Sequence, residues 1–229
     1  MNRKISIAAL RDIQEEHYRW VSTGGSEGRC ANLSEVKLSG VKLHNINLNH
    51  ADLSGANLRS ANLSGVKLRG ANLRGADLRS VYLMNGADLR DADLSGTDLT
   101  KANLFNSNLT KARLCDANLR SVKQNGANLS GADLSKSDLS KARLAKADLS
   151  EANLFNVNLT KARLNEANLR DASLKDTVLN SADLRGARGL TIEQLSEAKT
   201  LYKSRLDPDL MKQVKEEYPN LLEEPKPEE

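Results

Sequence analysis

The residues best suited to chemistry are few and scattered. Gly24 to Gly28 spells G-x-S-x-G, the spacing that exposes a nucleophilic serine on a strand-to-helix turn. Such a Ser26 needs a strand before it, a helix after it, and a histidine and a carboxylate delivered by the fold. Here the stretch is glycine-rich and runs straight into a repeat, so a linker is expected. His17, His44 and His50 stand isolated, and neither Cys30 nor Cys115 has metal-ligand spacing to them. Asn-Leu-Ser and Asn-Leu-Thr tripeptides recur at Asn32, Asn62, Asn108, Asn128 and Asn158 among many Asp and Ser residues. They read as by-products of a short period, not as glycosylation acceptors, paired acids or nucleophiles. No catalytic, metal or cofactor-binding residue emerges, and no enzyme is expected.

What would position any site is the period itself. Aromatic residues make up only 3% of the 229-residue chain, while leucine occurs 38 times. From Leu33 to Leu83 it recurs every five residues; after one extra residue the series resumes at Leu89 and runs to Leu184. Only Gln124 interrupts it. A small or β-branched residue, usually Ala, stands two places before each leucine, and Asn or Asp usually stands one place before. On an α-helix, five residues advance about 500°, so the leucines would precess around the surface. On a continuous strand an odd spacing alternates faces. The period works when each pentapeptide forms one side of a coil with a corner in it. Leucine and the residue two before it then point inward, and the other three point outward.

The run A(D/N)LXX, as in ADLSG at 51–55, ANLRG at 71–75 and ADLSE at 147–151, resembles the pentapeptide-repeat proteins, with 31 copies over residues 31–184. The resemblance implies an all-β solenoid: a right-handed quadrilateral β-helix of about eight coils, each stacked about 4.8 Å from the next. The absence of proline from the first 207 residues suits a fold that uses its backbone N–H groups between coils. Open coil ends need caps. The implied organisation is an N-terminal helical cap and Gly-rich linker (1–29), the β-helix (30–189), a C-terminal helical cap (190–220) and a disordered acidic tail (221–229). Leu10, Ile13, His17 and Trp20 lie at helical spacing within 5–21, and Trp20 is expected to plug the N-terminal end. Thr191 opens a T-x-x-Q capping box, predicting a helix to about Ser204. Asp207-Pro208 starts a further helix that stops before Pro219. The extra residue near Met84, Asn85 and Gly86 reads as a corner bulge, and a buried Gln124 is expected to find water, backbone or a distorted corner.

Residues 31–184 carry 21 Lys and Arg against 16 Asp and Glu. Lys101, Lys123, Lys141, Arg143, Lys161 and Arg163 collect on one side of the rod, which reads as a solvated face or as a surface for an acidic partner. Leu195, Leu201, Tyr202, Leu206 and Leu210 form a candidate surface that either caps the last coil or meets its twin in a homodimer through the C-terminal helices. The expected role is a non-catalytic rod acting as a protein-interaction scaffold for an unidentified protein. The alternative that the resemblance implies, a DNA mimic that binds DNA gyrase, needs a negative surface and meets net positive coils. Nucleic acid is disfavoured as a partner: the stripe has no interleaved aromatics and no groove-entering helix. No apolar run approaches the roughly 18 residues of a membrane span, and two cysteines without a secretion signal fit the cytoplasm.

Overall fold

The computed structural model describes residues 3–225. Backbone pairing follows the five-residue period. Asn32 bridges Asp52, Asp52 bridges Asn72 and Asn72 bridges Asp93, all parallel. The step is 20 residues, except 21 where the extra residue lies in between, as from Tyr82 to Asn103, and 22 at the last bridges, from Val178 to Thr200 and from Asp183 to Arg205. Four pentapeptides therefore make one turn, and every side repeats above its predecessor. Each side gives one bridged residue, so the β-structure consists of isolated bridges and not of long strands.

Backbone bonds recur in each regular pentapeptide, among them a corner N–H that donates to the carbonyl above, as Gly55 does to Arg74 (2.9 Å). The N–H of Leu53 donates to the Asn72 carbonyl above it (2.7 Å), and that of Asn72 donates to the Ala51 carbonyl below (3.0 Å). The corner closes with Ala56 N–H to the Leu53 carbonyl (3.0 Å). Corner residues take positive φ, as at Gly55 (61°), Ser60 (56°) and Lys101 (60°). Only the glycine does so without steric cost. The bridged Asp or Asn fixes the approach to the corner: the Asp52 carboxylate accepts from Ser54 N–H (3.0 Å), as Asn57 does from Arg59 N–H (3.1 Å). Inside, leucines and alanines stack in buried columns. Each buried leucine contributes about 1.5–3 kcal/mol.

Two irregularities behave differently. At Met84-Asn85-Gly86 the corner bulges, with Asn85 (φ 59°) and Gly86 (φ 76°) both left-handed. At Gln124 the coil is undistorted: its N–H reaches the Arg143 carbonyl (2.8 Å), and its carbonyl accepts from Ala127 (3.0 Å). The side chain is fully buried, and neither amide atom has a protein partner, contrary to the expectation of backbone partners or a distorted corner. The backbone bonds outweigh one misfit side chain.

At the N-terminal end, helix α1 (Ile7–Ser22) starts on Ser6, whose hydroxyl accepts from Ala9 N–H (3.1 Å). Leu10 and Ile13 pack against the core. The buried residue is His17, while Trp20 is half-buried, which corrects the expectation that Trp20 fills the end. The reason is hydrogen bonding. Ala31 N–H, at the open start of the first coil, needs an acceptor, and His17 Nδ1 provides it (3.0 Å). An indole can only donate. Trp20 instead stacks on His17 at 5.7 Å and meets His50 edge-on at 6.3 Å. The histidines are thus not all isolated, because the fold sets His17 and His50 on either side of Trp20.

At the other end, Thr191 forms the capping box with Gln194, but α2 is short (Ile192–Ser196) and does not reach Ser204. The chain returns to the coil pattern instead: Thr200 bridges Val178, Arg205 bridges Asp183, and Leu201 and Leu206 are buried. Burying these leucines over the last turn prevails over helix continuation. Helix α3 (Pro208–Glu217) follows, and a 3-10 turn (Pro219–Leu222) places the Leu221 carbonyl on Leu201 N–H (2.7 Å). Leu221 is buried, so the packed end extends past residue 220; residues 226–229 of the expected acidic tail lie outside the described residues. Among the described residues no helix is long and apolar enough to cross a membrane.

Two outcomes follow from these ends and columns. Burial, and to a lesser degree the charge of His50, lower the pKa of His17 from its ordinary 6.5. The folded state therefore favours neutral His17: its stabilising contribution is present above pH 6.5 and falls as pH drops below that value and the unfolded state takes up the proton. The melting temperature should decline between about pH 7 and pH 5, and His17→Gln, which keeps an acceptor for Ala31, should flatten that decline. Gln124→Leu should raise stability by about 1–3 kcal/mol in denaturant titrations, because it removes an unpartnered amide from the core.

Candidate interaction face

The bridge register turns scattered cations into columns. Lys123, Arg143 and Arg163 follow one another directly, continuing Tyr82 and Asn103 below and leading to Asp183 and Arg205 above. Lys101, Lys141 and Lys161 occupy the adjacent corner column with φ of 60°, 61° and 61°. Vertically adjacent positions lie about 4.8 Å apart. The structure therefore brings all six sequence-identified cations to one face, and all are exposed.

Their charge is unmatched, while charges beside them are matched. Among the described residues none of the six takes part in an ion pair. On the neighbouring side, Asp98 lies 3.8 Å from Arg79, and Asp138 lies 3.8 Å from Arg120. Across the other corner, Lys146 pairs with Glu166 at 3.5 Å. These exposed pairs add little stability, but they flank the unpaired columns on both sides.

The face continues beyond the residues found by sequence. Lys161, Arg163, Arg185, Lys203 and Arg205 line a shallow cleft of about 460 Å³ with Ser181 and Asp183. Asp183 is already engaged: Arg185 grips both its oxygens at 2.8 and 2.7 Å, and these bonds hold its carboxyl below the usual range. Lys203 extends over the Tyr202 ring, 4.6 Å from its centroid. Lys203 falls in the segment expected to be helix to about Ser204, and Arg205 just after it, although the five-residue interval between Leu201 and Leu206 carried the signal that places both here.

The remaining candidates fall elsewhere. Leu195, Leu201 and Leu206 are buried in this chain's own end, and Tyr202 and Leu210 are half-buried. Ser26 is exposed and donates to the Thr23 carbonyl (3.0 Å), a turn contact remote from catalytic geometry. Burial, with a smaller effect from Asp52, raises the Cys30 thiol pKa, which makes it a poorer nucleophile. Cys115 donates to Ser95 Oγ at 3.1 Å. Among the described residues no group of His, Cys, Asp or Glu could hold a metal ion.

Comparison with known proteins places this geometry. The family model for pentapeptide repeats matches eight copies, over residues 31–70, 56–85, 83–120, 125–160 and 152–188. Among solved structures, the chain is similar to HetL, a pentapeptide repeat protein involved in heterocyst differentiation regulation from the cyanobacterium Nostoc sp. strain PCC 7120. Identity is 30%, coverage 88% of this chain and 94% of that one, and the TM-score 0.34. It is similar to trypsin-treated QnrB1, a plasmid-mediated fluoroquinolone resistance protein, at 19% identity, 80% and 95% coverage and a TM-score of 0.46. A pentapeptide repeat protein of the Arabidopsis thaliana thylakoid lumen shares 35% identity over 45% of this chain and 68% of that one, with a TM-score of 0.24. No curated protein sequence matches.

Proposed function

We propose that this chain, which belongs to the pentapeptide-repeat family, is a non-catalytic rod that presents its basic face to an acidic partner protein. In this reading the rod is a right-handed quadrilateral β-helix of about eight coils, with α1 capping one end and residues 190–222 the other. The cap is favoured over a homodimer contact because Leu195, Leu201 and Leu206 are already covered within the chain.

The observation that carries the reading is the column of unpaired cations, fixed in register by the backbone. Holding like charges about 4.8 Å apart costs free energy that folding alone does not recover, whereas an acidic partner relieves it. A filled core leaves faces and not deep pockets for recognition. A duplex mimic would need carboxylates where these columns hold Lys and Arg.

On immobilised poly-L-glutamate at low ionic strength the protein should be retained and should elute with salt. The variant Lys141→Glu, Arg143→Glu, Lys161→Glu, Arg163→Glu should flow through with an unchanged melting temperature. The unaltered protein should leave gyrase-catalysed supercoiling unaffected. Equal retention of the variant, or inhibition of gyrase at stoichiometric protein, would contradict the proposal.

A further inference from the structure

At its lower end the basic face runs into the exposed apolar surface of the rod. Tyr82 (49% exposed) and Phe105 (45%) are two of the four large hydrophobic residues left in solvent among the described residues. Tyr82 stands directly below Asn103 in the column that continues as Lys123, Arg143 and Arg163. Phe105 follows Asn103 by two residues as Met84 follows Tyr82, and the Met84 Sδ lies 3.5 Å from the Asn103 side-chain amide nitrogen. The patch and the cations thus form one surface, although Tyr82 and Phe105 are far apart in sequence.

The bulge opens backbone at the same spot. In the regular coils a corner N–H donates to a carbonyl above, as Ser80 does to Thr100 (3.0 Å) and Asp91 to Thr110 (3.1 Å). By that pattern residue 85 should serve Phe105, but the extra residue carries the corner out of line. Among the described residues, Asn85 and Gly86 donate no backbone bond and the Phe105 carbonyl accepts none. Exposed donors and an unfilled acceptor beside an apolar patch suit another polypeptide backbone better than a lipid surface, which lacks directed amides.

We propose that this face docks an acidic segment of a partner polypeptide, with one apolar side chain seated on Tyr82, Met84 and Phe105 and its carboxylates running up the cation column to Arg205. The proposal rests on the basic face being the partner surface, and adds the anchor and hence the direction of the bound segment. From Asn103 to Arg205 the column climbs five coils, about 24 Å, which an extended chain covers in about seven residues. The cations set the encounter and the orientation, and the aromatic anchor supplies most of the discrimination.

The test uses fluorescein-labelled peptides of about eight residues, all Asp and Glu except for one terminal leucine, placed at either end in separate probes. A control carries serine in place of the leucine, and anisotropy is read against the full chain. The leucine peptide of the favoured direction should bind about tenfold more tightly than the serine control. Tyr82→Ser with Phe105→Ser should abolish that difference and leave the serine control unchanged, while the fourfold charge reversal should weaken both. Equal binding of the peptides, or a difference that survives the double variant, would overturn the anchor and leave the basic-face reading standing. No binding of either peptide would overturn both. Tighter binding of a thymidine oligonucleotide or of phosphatidylserine vesicles than of the leucine peptide at physiological salt would overturn the polypeptide assignment.

Discussion

The inter-coil backbone hydrogen bond, closing every 20 residues, is the constraint on which the molecule depends. Because Leu53 must donate to Asn72 and Asn72 to Ala51, each pentapeptide is locked above its counterpart. That lock makes a one-dimensional spacing of leucines into a packed column, and it tolerates local faults. Gln124 keeps its backbone bonds although its amide has no protein partner, and the Met84 bulge changes one step in each column from 20 to 21 residues without ending the stack. A solenoid of this kind sums near-neighbour contacts, so a fault in one coil stays local.

The same lock governs the surface. Outward residues cannot slide relative to one another, so a cation chosen at one position in successive coils becomes a ladder of fixed pitch. Ion pairs on either side, at Asp138 with Arg120 and at Lys146 with Glu166, leave the ladder between them unneutralised. The rod is therefore a ruler for charge. The bulge interrupts that regularity where the apolar patch lies, which gives the ruler a distinguishable end.

Much of this was legible in the sequence, for a physical reason: a five-residue period suits neither helix nor strand, so its inward and outward positions were assignable residue by residue. The basic stripe followed from the same register. What escaped depends on contacts that no period encodes. His17 takes the buried place at the N-terminal end because Ala31 N–H needs an acceptor, a demand visible only once the first coil is closed. The helix expected to reach Ser204 stops at Ser196 because Leu201 and Leu206 gain more by covering the last coil. Tyr82 comes to lie below Asn103, two residues before Phe105, only after the extra residue is counted into the turn.

The most direct measurement is the distance between two positions in one column. With Cys30 and Cys115 replaced by serine, spin labels at Lys42→Cys and Arg163→Cys would be separated by 121 residues of chain but by six coil steps. Pulsed electron paramagnetic resonance should then give a single narrow distribution near about 29 Å. A broad distribution, or a separation well beyond about 40 Å, would mean that the register does not close every 20 residues and that the cation ladder built on it does not exist.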